Sequence, residues 1–167
     1  PPIFHLNMWD AIKVLTKSDS EEKIRKIWEA GGSREVAYPT ELLNMPEGDE
    51  EVIKSLSKNY LLGIVTNRIR NSVWEFSKLA ELKEYFRAIV SYEDTVNHKP
   101  NPEPLLLVAK RLDTRPEEAV YIGDVENDVK AGKAAGMKVI VYSKDKIPGA
   151  DAYTSSFKEL SQIVASL

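Results

Sequence analysis

Short, continuous apolar runs alternate along most of this chain with segments in which apolar residues recur every three or four positions. Such runs, rich in β-branched and aromatic residues, are typical of buried strands, and the recurring pattern is typical of amphipathic helices. Strand and helix in alternation predict a parallel sheet with helices on both faces and right-handed crossovers. The predicted strands cover residues 60–65, 88–90, 119–122, 138–142 and 152–154, and the predicted helices cover residues 50–58, 71–80, 105–112, 126–135 and 157–167. In the helix over 71–80, the inner face is formed by Val73, Phe76 and Leu79.

The first part of the chain carries only the helical pattern. Its apolar positions predict one helix over residues 3–15 and a second over residues 23–30. Residues 33–48 contain two prolines and form an irregular connector. We therefore predict a small helical part over residues 1–38 and a three-layer, Rossmann-like α/β domain over residues 39–167.

Composition narrows the class of protein. The chain has 167 residues, which fit one domain of ordinary size or a core with a small appendage. A net charge of −3 argues mildly against a nucleic-acid partner, and no apolar run approaches the length of a membrane span. The absence of cysteine excludes thiol catalysis and thiolate zinc sites, and two distant histidines make a multi-histidine zinc site a poor fit. The lack of cysteine is consistent with a cytoplasmic location.

Polar residues follow two of the predicted strands. Thr66 and Asn67 come directly after the strand over 60–65, and Asp124 comes directly after the strand over 119–122 and Gly123. The carboxyl ends of parallel strands meet at one edge of the sheet, where open α/β sheets keep their ligands. We therefore expect Thr66 and Asp124 to come together at that edge.

A second acid, Asp128, lies one helical turn after Asp124. Two carboxylates about 6 Å apart repel by roughly 3 kcal/mol at an effective dielectric constant near 20, so such a pair favours a shared cation. Mg²⁺ is a good candidate because it takes one or two carboxylates together with water and phosphate oxygens. The alternative is that Asp124 caps the following helix and Asp128 decorates its first turn.

Lys99 lies in a loop that three prolines stiffen before the helix over 105–112. If the loop lies above the sheet edge, Lys99 is able to neutralise phosphate charge, Thr66 to donate a hydrogen bond to a phosphoryl oxygen, and the acidic pair to hold Mg²⁺. Each residue also has a structural alternative, since Thr66 could end a strand and Lys99 could be a solvated loop lysine. We expect Lys99 to form an ion pair with Asp124 or Asp128.

Four segments of the chain together resemble the haloacid dehalogenase-like hydrolases, specifically the phosphoglycolate-phosphatase-like branch. Residues 62–67, Leu-Gly-Ile-Val-Thr-Asn, are similar to the second motif of that family, and residues 99–107, which begin Lys-Pro-Asn-Pro, are similar to the third. Residues 123–136, with Gly-Asp-Val-Glu-Asn-Asp followed by an Ala/Gly-rich helix, are similar to the fourth motif. Residues 149–160 resemble the usual tail, so that the resemblance covers roughly residues 47–167.

The resemblance implies a phosphatase chemistry with Mg²⁺ as cofactor, in which an aspartate nucleophile takes the phosphoryl group and water then releases phosphate. By family role, Thr66, Asn67 and Lys99 bind the substrate, and Thr66 and Lys99 also serve catalysis. Asp124 ligates Mg²⁺, and Asp128 supports the metal site and Lys99. The helical part over residues 1–38 resembles the cap, or the remnant of a cap, that family members insert and that selects the substrate.

One family motif has no match in the sequence. The nucleophile of the family lies in an Asp-x-Asp-x-Thr motif at the end of the first strand, and neither Asp10 nor Asp19 begins such a motif. In the family that strand lies between the strands that end at Thr66 and Asp124, so its absence would leave a gap in the sheet. We therefore expect a missing upstream segment to supply the nucleophile, and the 167-residue chain alone to be inactive.

The sequence thus predicts a Mg²⁺-dependent phosphohydrolase that acts on a small phosphorylated metabolite through an aspartyl-phosphate intermediate. We expect neither nucleic acid nor a membrane as a partner. The alternatives are a dehalogenase, which the acidic pair argues against because dehalogenation needs no metal, and a non-catalytic binding or regulatory module on the same scaffold. The substrate and the oligomeric state stay open.

Overall fold

The computed structural model describes residues 8–32 and 44–167. The chain divides into two compact units, Pro1–Leu43 and Asn44–Leu167. The predicted domain boundary at residue 38 lies outside the described residues, and the assignment of the first unit as a cap stays a prediction. None of the helices within residues 8–32 and 44–167 has the length and apolar character of a transmembrane segment.

The first unit contains helix α1 (Met8–Thr16) and helix α2 (Glu21–Gly32). Ile12 of α1 and Ile24 of α2 are buried. The Ser20 hydroxyl oxygen accepts a bond from the Lys23 backbone N–H and so caps the start of α2. The two predicted helices are confirmed where they are described, and residues 3–7 of the first prediction lie outside the described part.

The second unit alternates strands and helices, as the apolar pattern predicts. Its strands are β1 (Leu62–Val65), β2 (Phe86–Val90), β3 (Val120–Gly123), β4 (Lys138–Tyr142) and β5 (Ala152–Thr154). Its helices are α3 (Asp49–Ser57), α4 (Ser77–Glu81), α5 (Glu103–Arg111), α6 (Glu126–Ala134) and α7 (Leu160–Ser166). Short 3₁₀ turns cover Arg70–Ser72, Lys83–Tyr85, Tyr92–Asp94, Pro116–Glu118 and Phe157–Glu159.

All strand pairs are parallel, and they form two separate sheets. β1 pairs with β2 in one sheet, and the other sheet has the order β3-β4-β5. Within residues 8–32 and 44–167, no ladder hydrogen bonds join β1 to β3. β4 has neighbours on both sides, and its central residues Val139, Ile140 and Val141 are fully buried, whereas β1 and β3 are only partly buried.

Helices cover both faces of these strands, which confirms the predicted three-layer α/β fold. Because side chains alternate along a strand, neighbouring residues of β1 and β3 enter different clusters. Val65 of β1 and Tyr121 of β3 pack against the cluster that contains Leu105 and Ala109 of α5. On the other face, the residues that pack together are Leu62 of β1, Val120 and Ile122 of β3, Val52 and Leu56 of α3, and Leu160 of α7.

The predicted helix over residues 71–80 is wrong in its first half. The structure has a 3₁₀ turn over Arg70–Ser72, extended backbone at Phe76, and only the short α4, none of whose residues is buried. Val73 is buried as expected. The turn is held by contacts with residues more than twenty positions away, described below, and such tertiary contacts override a local helical pattern.

Candidate active site

The end of β3 and the start of α6 are built around the Asp128 carboxylate. Its Oδ2 atom accepts bonds from the backbone N–H of Asp124 at 3.0 Å and of Val125 at 3.2 Å. Asp128, not Asp124, therefore satisfies free N–H groups at the start of the helix. A Cβ atom at position 123 would lie only 2.6 Å from Asp128 Cγ, so glycine at this position lets the carboxylate fold back against the strand end.

The other oxygen of Asp128 meets two long side chains. Its Oδ1 atom lies 2.7 Å from Lys99 Nζ and accepts a 3.0 Å bond from the Tyr121 hydroxyl. Lys99 Nζ also donates to the Tyr121 hydroxyl oxygen at 2.8 Å. The side chains of Lys99 and Asp128 are 14% and 3% exposed, which makes this a buried ion pair. The expected contact between Lys99 and an acid of this pair is confirmed, and Tyr121 is a member that the sequence analysis missed.

Burial and charge shift the pKa values of Asp124 and Asp128 in opposite directions. Burial raises the pKa of the Asp124 carboxyl, and the neighbouring Asp128 charge raises it further. For Asp128, burial alone would raise the pKa, but the Lys99 charge and the hydrogen bonds it receives hold it below its ordinary value. Burial, with Asp128 nearby, raises the pKa of Tyr121 well above its ordinary value, so the phenol stays neutral. In the part of the chain that the structure describes, Lys99 pairs with Asp128, and no ion pair compensates the charge of Asp124.

Asp124 is the carboxylate of this site that suits a hard divalent cation. The Asp124 carboxylate has a raised pKa, which a nearby cation would lower. Asp128 already accepts four hydrogen bonds, two at each oxygen, which fill the acceptor positions of a carboxylate. Its geometry is that of a support for Lys99 and the strand end, and direct metal ligation by Asp128 stays a prediction. No group of three or more acidic or histidine side chains suited to a metal occurs among the described residues.

Thr66 and Asn67 follow β1 directly, as predicted. The Thr66 backbone N–H donates to Val90 O at 2.9 Å, which extends the β1–β2 pairing to the strand end. The Thr66 hydroxyl oxygen accepts a 3.1 Å bond from the Arg68 backbone N–H, so the hydroxyl proton is left to donate to an acceptor. In the described part of the chain, no hydrogen bond or ion pair joins Thr66 or Asn67 to Lys99, Asp124 or Asp128. Their convergence on one ligand therefore stays a prediction.

A second carboxylate cluster holds the loop that carries Thr66. Asp94, whose side chain is 5% exposed, receives Arg70 Nη2 at 2.5 Å and Arg111 Nη2 at 2.6 Å on one oxygen. Its other oxygen accepts from the Ser91 N–H and hydroxyl at 2.8 and 2.7 Å. The Glu93 carboxylate accepts from the Arg70 backbone N–H at 3.0 and 2.9 Å. These contacts fix the 3₁₀ turn over Arg70–Ser72 against the end of β2.

The hydrogen bond from Arg111, the bonds from the Ser91 N–H and hydroxyl, and the Arg111 charge hold the Asp94 pKa well below its ordinary value. This cluster was missed in the sequence analysis. The arginines lie 24 and 17 positions from Asp94, and no local pattern connects them.

Comparisons with known proteins agree on one family. The family model described as haloacid dehalogenase-like hydrolase matches residues 2–142. The chain is 32% identical over 143 residues to the pyrophosphatase PpaX of Bacillus cereus, a match that covers 85% of this chain and 64% of the relative. It is 39% identical over 106 residues to PpaX of Halalkalibacterium halodurans, covering 63% of this chain and 49% of the relative.

Among solved structures, the chain is similar to a HAD-superfamily hydrolase, subfamily IA, variant 1, from Geobacter sulfurreducens. The TM-score is 0.72 at 26% identity, and the match covers 96% of this chain and 74% of that chain. The chain thus spans about half to two thirds of the length of the two PpaX relatives.

Proposed function

The chain belongs to the haloacid dehalogenase-like hydrolases, and from that premise we propose that the intact protein is a Mg²⁺-dependent phosphohydrolase of the cytoplasm that acts on a small phosphorylated metabolite. The observation that carries this proposal is the buried group of Lys99, Tyr121 and Asp128 beside Asp124, at the carboxyl end of β3. It offers one fixed cation for a phosphoryl group, and one carboxylate whose charge is not compensated.

Each residue has a role that its contacts support. Lys99 presents its ammonium to a phosphoryl oxygen while Asp128 holds its position. The Thr66 hydroxyl donates to a second phosphoryl oxygen, and the backbone and side-chain amides at Asn67 lie next to it along the same loop. Asp124 holds Mg²⁺ with the help of water and substrate oxygens. When bound, the ion supplies charge neutralisation at the transferring phosphoryl group.

The nucleophile belongs, in this proposal, to an upstream segment that forms an aspartyl-phosphate. The gap between β1 and β3 supports it. Within residues 8–32 and 44–167, each of these strands is paired on one side only, and both pack on the same two apolar clusters. An extended apolar segment between them would pair with the strand edges that no described strand covers and would end beside Thr66 and Asp124.

The proposal is tested by comparing the 167-residue chain with the same protein extended upstream. Both are assayed for Mg²⁺-dependent hydrolysis of p-nitrophenyl phosphate and of a panel of phosphorylated metabolites. Because its curated relatives are described as pyrophosphatases, inorganic pyrophosphate belongs in the panel. We expect turnover only with the extended protein, and its loss when an upstream Asp-x-Asp aspartate is replaced by asparagine.

Each of the other outcomes has a definite meaning. Turnover by the 167-residue chain alone would place the nucleophile within the residues present. An extended protein that has no such motif and hydrolyses none of the substrates would instead favour a non-catalytic binding module. Metal-independent release of halide from a haloacid would favour the dehalogenase alternative.

A further inference from the structure

Tyr121 occupies an unusual position beside the Lys99 ammonium. Its hydroxyl oxygen accepts a 2.8 Å bond from Lys99 Nζ, and its hydroxyl proton goes to Asp128 Oδ1 at 3.0 Å. Lys99 Nζ itself lies 2.7 Å from the same Asp128 oxygen. The three polar groups therefore close a triangle in which every distance is that of a hydrogen bond.

The triangle limits the directions in which the ammonium is able to donate. A lysine ammonium has three N–H donors, and here two are taken by Tyr121 and Asp128. Within the described residues the third donor has no acceptor, and its direction follows from the other two because the ammonium is tetrahedral. Without the phenol, Lys99 would have one anchor and would be free to rotate about it.

We propose that Tyr121 is a positioning residue that fixes the Lys99 ammonium so that a single N–H is presented to the phosphoryl group of the substrate. The proposal rests on the phosphohydrolase function proposed above, but the effect of Tyr121 on the Lys99 ammonium is measurable without a substrate. Tyr121 is suited to it because a neutral hydroxyl accepts from Lys99 and donates to Asp128 at once. A phenylalanine would keep the apolar packing of the ring against the cluster that contains Leu105 and Ala109 but would lose both bonds.

The first test does not depend on activity. The full-length protein is labelled with ¹⁵N-lysine, and proton exchange and the order parameter of the Lys99 ammonium are measured by NMR, with its signal assigned through Lys99→Arg. We expect Tyr121→Phe to accelerate that exchange about tenfold and to lower the order parameter. The matched control is Tyr153→Phe, which removes the exposed hydroxyl that bonds Ile147 O and should leave the Lys99 signal unchanged. Unchanged exchange in folded Tyr121→Phe overturns the proposal.

The second test separates positioning from a merely structural effect. Binding of inorganic phosphate in the presence of Mg²⁺ is measured by calorimetry for the wild type, Tyr121→Phe, Lys99→Met and the double variant. We expect Tyr121→Phe to weaken phosphate about fivefold when Lys99 is present and to have no further effect in the Lys99→Met background. Equal weakening in both backgrounds would show that Tyr121 acts through the fold and overturns the proposal.

Hydrolysis kinetics complete the comparison. We expect kcat for p-nitrophenyl phosphate to fall about tenfold in Tyr121→Phe, with little change in Tyr153→Phe. A wild-type protein that neither hydrolyses nor binds phosphate would contradict the proposed function, and the NMR result alone would then decide whether Tyr121 fixes Lys99.

Discussion

Asp94 and Asp128 follow different strands and are bound in nearly the same way. Each side chain is almost fully buried, and each has one oxygen that accepts two bonds from its own turn and one oxygen that receives two long side chains. The long side chains differ. Asp94 receives two guanidinium groups, from Arg70 and Arg111, whereas Asp128 receives one ammonium and one neutral phenol.

The surroundings of the two carboxylates differ as well. Glu93, next to Asp94, accepts the Arg70 backbone N–H, and the formal charges of the two acids and the two arginines sum to zero. Asp124 lies next to Asp128, and among the described residues only Lys99 forms an ion pair with either acid. Burial, together with the Asp128 charge, raises the pKa of Asp124. A balanced cluster holds loops in place, whereas the unbalanced one at the end of β3 is where our proposal puts the cation. Each of the following predictions tests that contrast.

The largest effect is expected when Asp128, the buried acceptor that holds Lys99 and Tyr121, is removed. Asp128→Ala leaves Lys99, Tyr121 and two backbone N–H groups without their acceptor. Breaking a buried pair in this way costs about 3–5 kcal/mol. Urea unfolding should show this loss, while Asp145→Ala, at an exposed loop position, should leave the midpoint unchanged. If the alanine variant does not fold, Asp128→Asn serves instead, and a loss below about 1 kcal/mol in either variant would mean that the pair is not a support.

Asp124→Asn should separate stability from metal binding. At neutral pH the carboxylate with the raised pKa destabilises the metal-free fold, because it is charged there although it is half-buried and lies beside Asp128. The amide should therefore raise Tm without metal and abolish the rise of Tm that Mg²⁺ gives the wild type. In the extended protein, Mg²⁺-dependent hydrolysis should fall at least about 100-fold, which is roughly 2.7 kcal/mol. A Mg²⁺-dependent Tm rise that persists in the variant would place the metal elsewhere.

Asp94→Asn should have a smaller effect that depends on pH. The folded pKa of Asp94 lies well below its ordinary value, so the stabilisation is present above that ordinary value, near pH 4, and is lost as the pH falls below it. We expect the variant to lose about 1–2 kcal/mol at pH 7, because both arginines are partly exposed and water screens them. The difference from the wild type should shrink in urea titrations at pH 3 and below. A constant difference across this range would contradict the role of the Asp94 charge.

The smallest effect is expected at an exposed pair. Lys54 and Glu50 lie 2.5 Å apart on α3, one helical turn from each other, with both side chains in solvent. Glu50→Gln removes the charge but none of the buried contacts, and exposed pairs of this kind contribute little. The urea midpoint and the hydrolysis rate should both stay at the wild-type values. A clear shift in either would show that surface charge, rather than the two buried clusters, governs this fold.

The amino-acid sequence by itself determined the alternation of strands and helices and the polar residues at two strand ends. Both depend on local periodicity and on neighbouring positions, so a linear reading finds them. The prediction that Lys99 pairs with an acid of the 124–128 segment came from the proline-stiffened loop and the parallel order, and the structure confirms it. Local periodicity also predicted a helix over residues 71–80, whereas the structure has a 3₁₀ turn over Arg70–Ser72 and only the short α4.

Only the tertiary structure decided which side chains complete each cluster. In the sequence, Tyr121 is one more apolar position of a buried strand. The role of its hydroxyl becomes visible only in the folded chain, where Lys99, 22 positions away, donates a hydrogen bond to it. Arg70 and Arg111 reach Asp94 from 24 and 17 positions away, on separate elements. Such contacts depend on where parallel strands and their loops meet in space, and no periodicity along the chain encodes the distance between two ends of different strands.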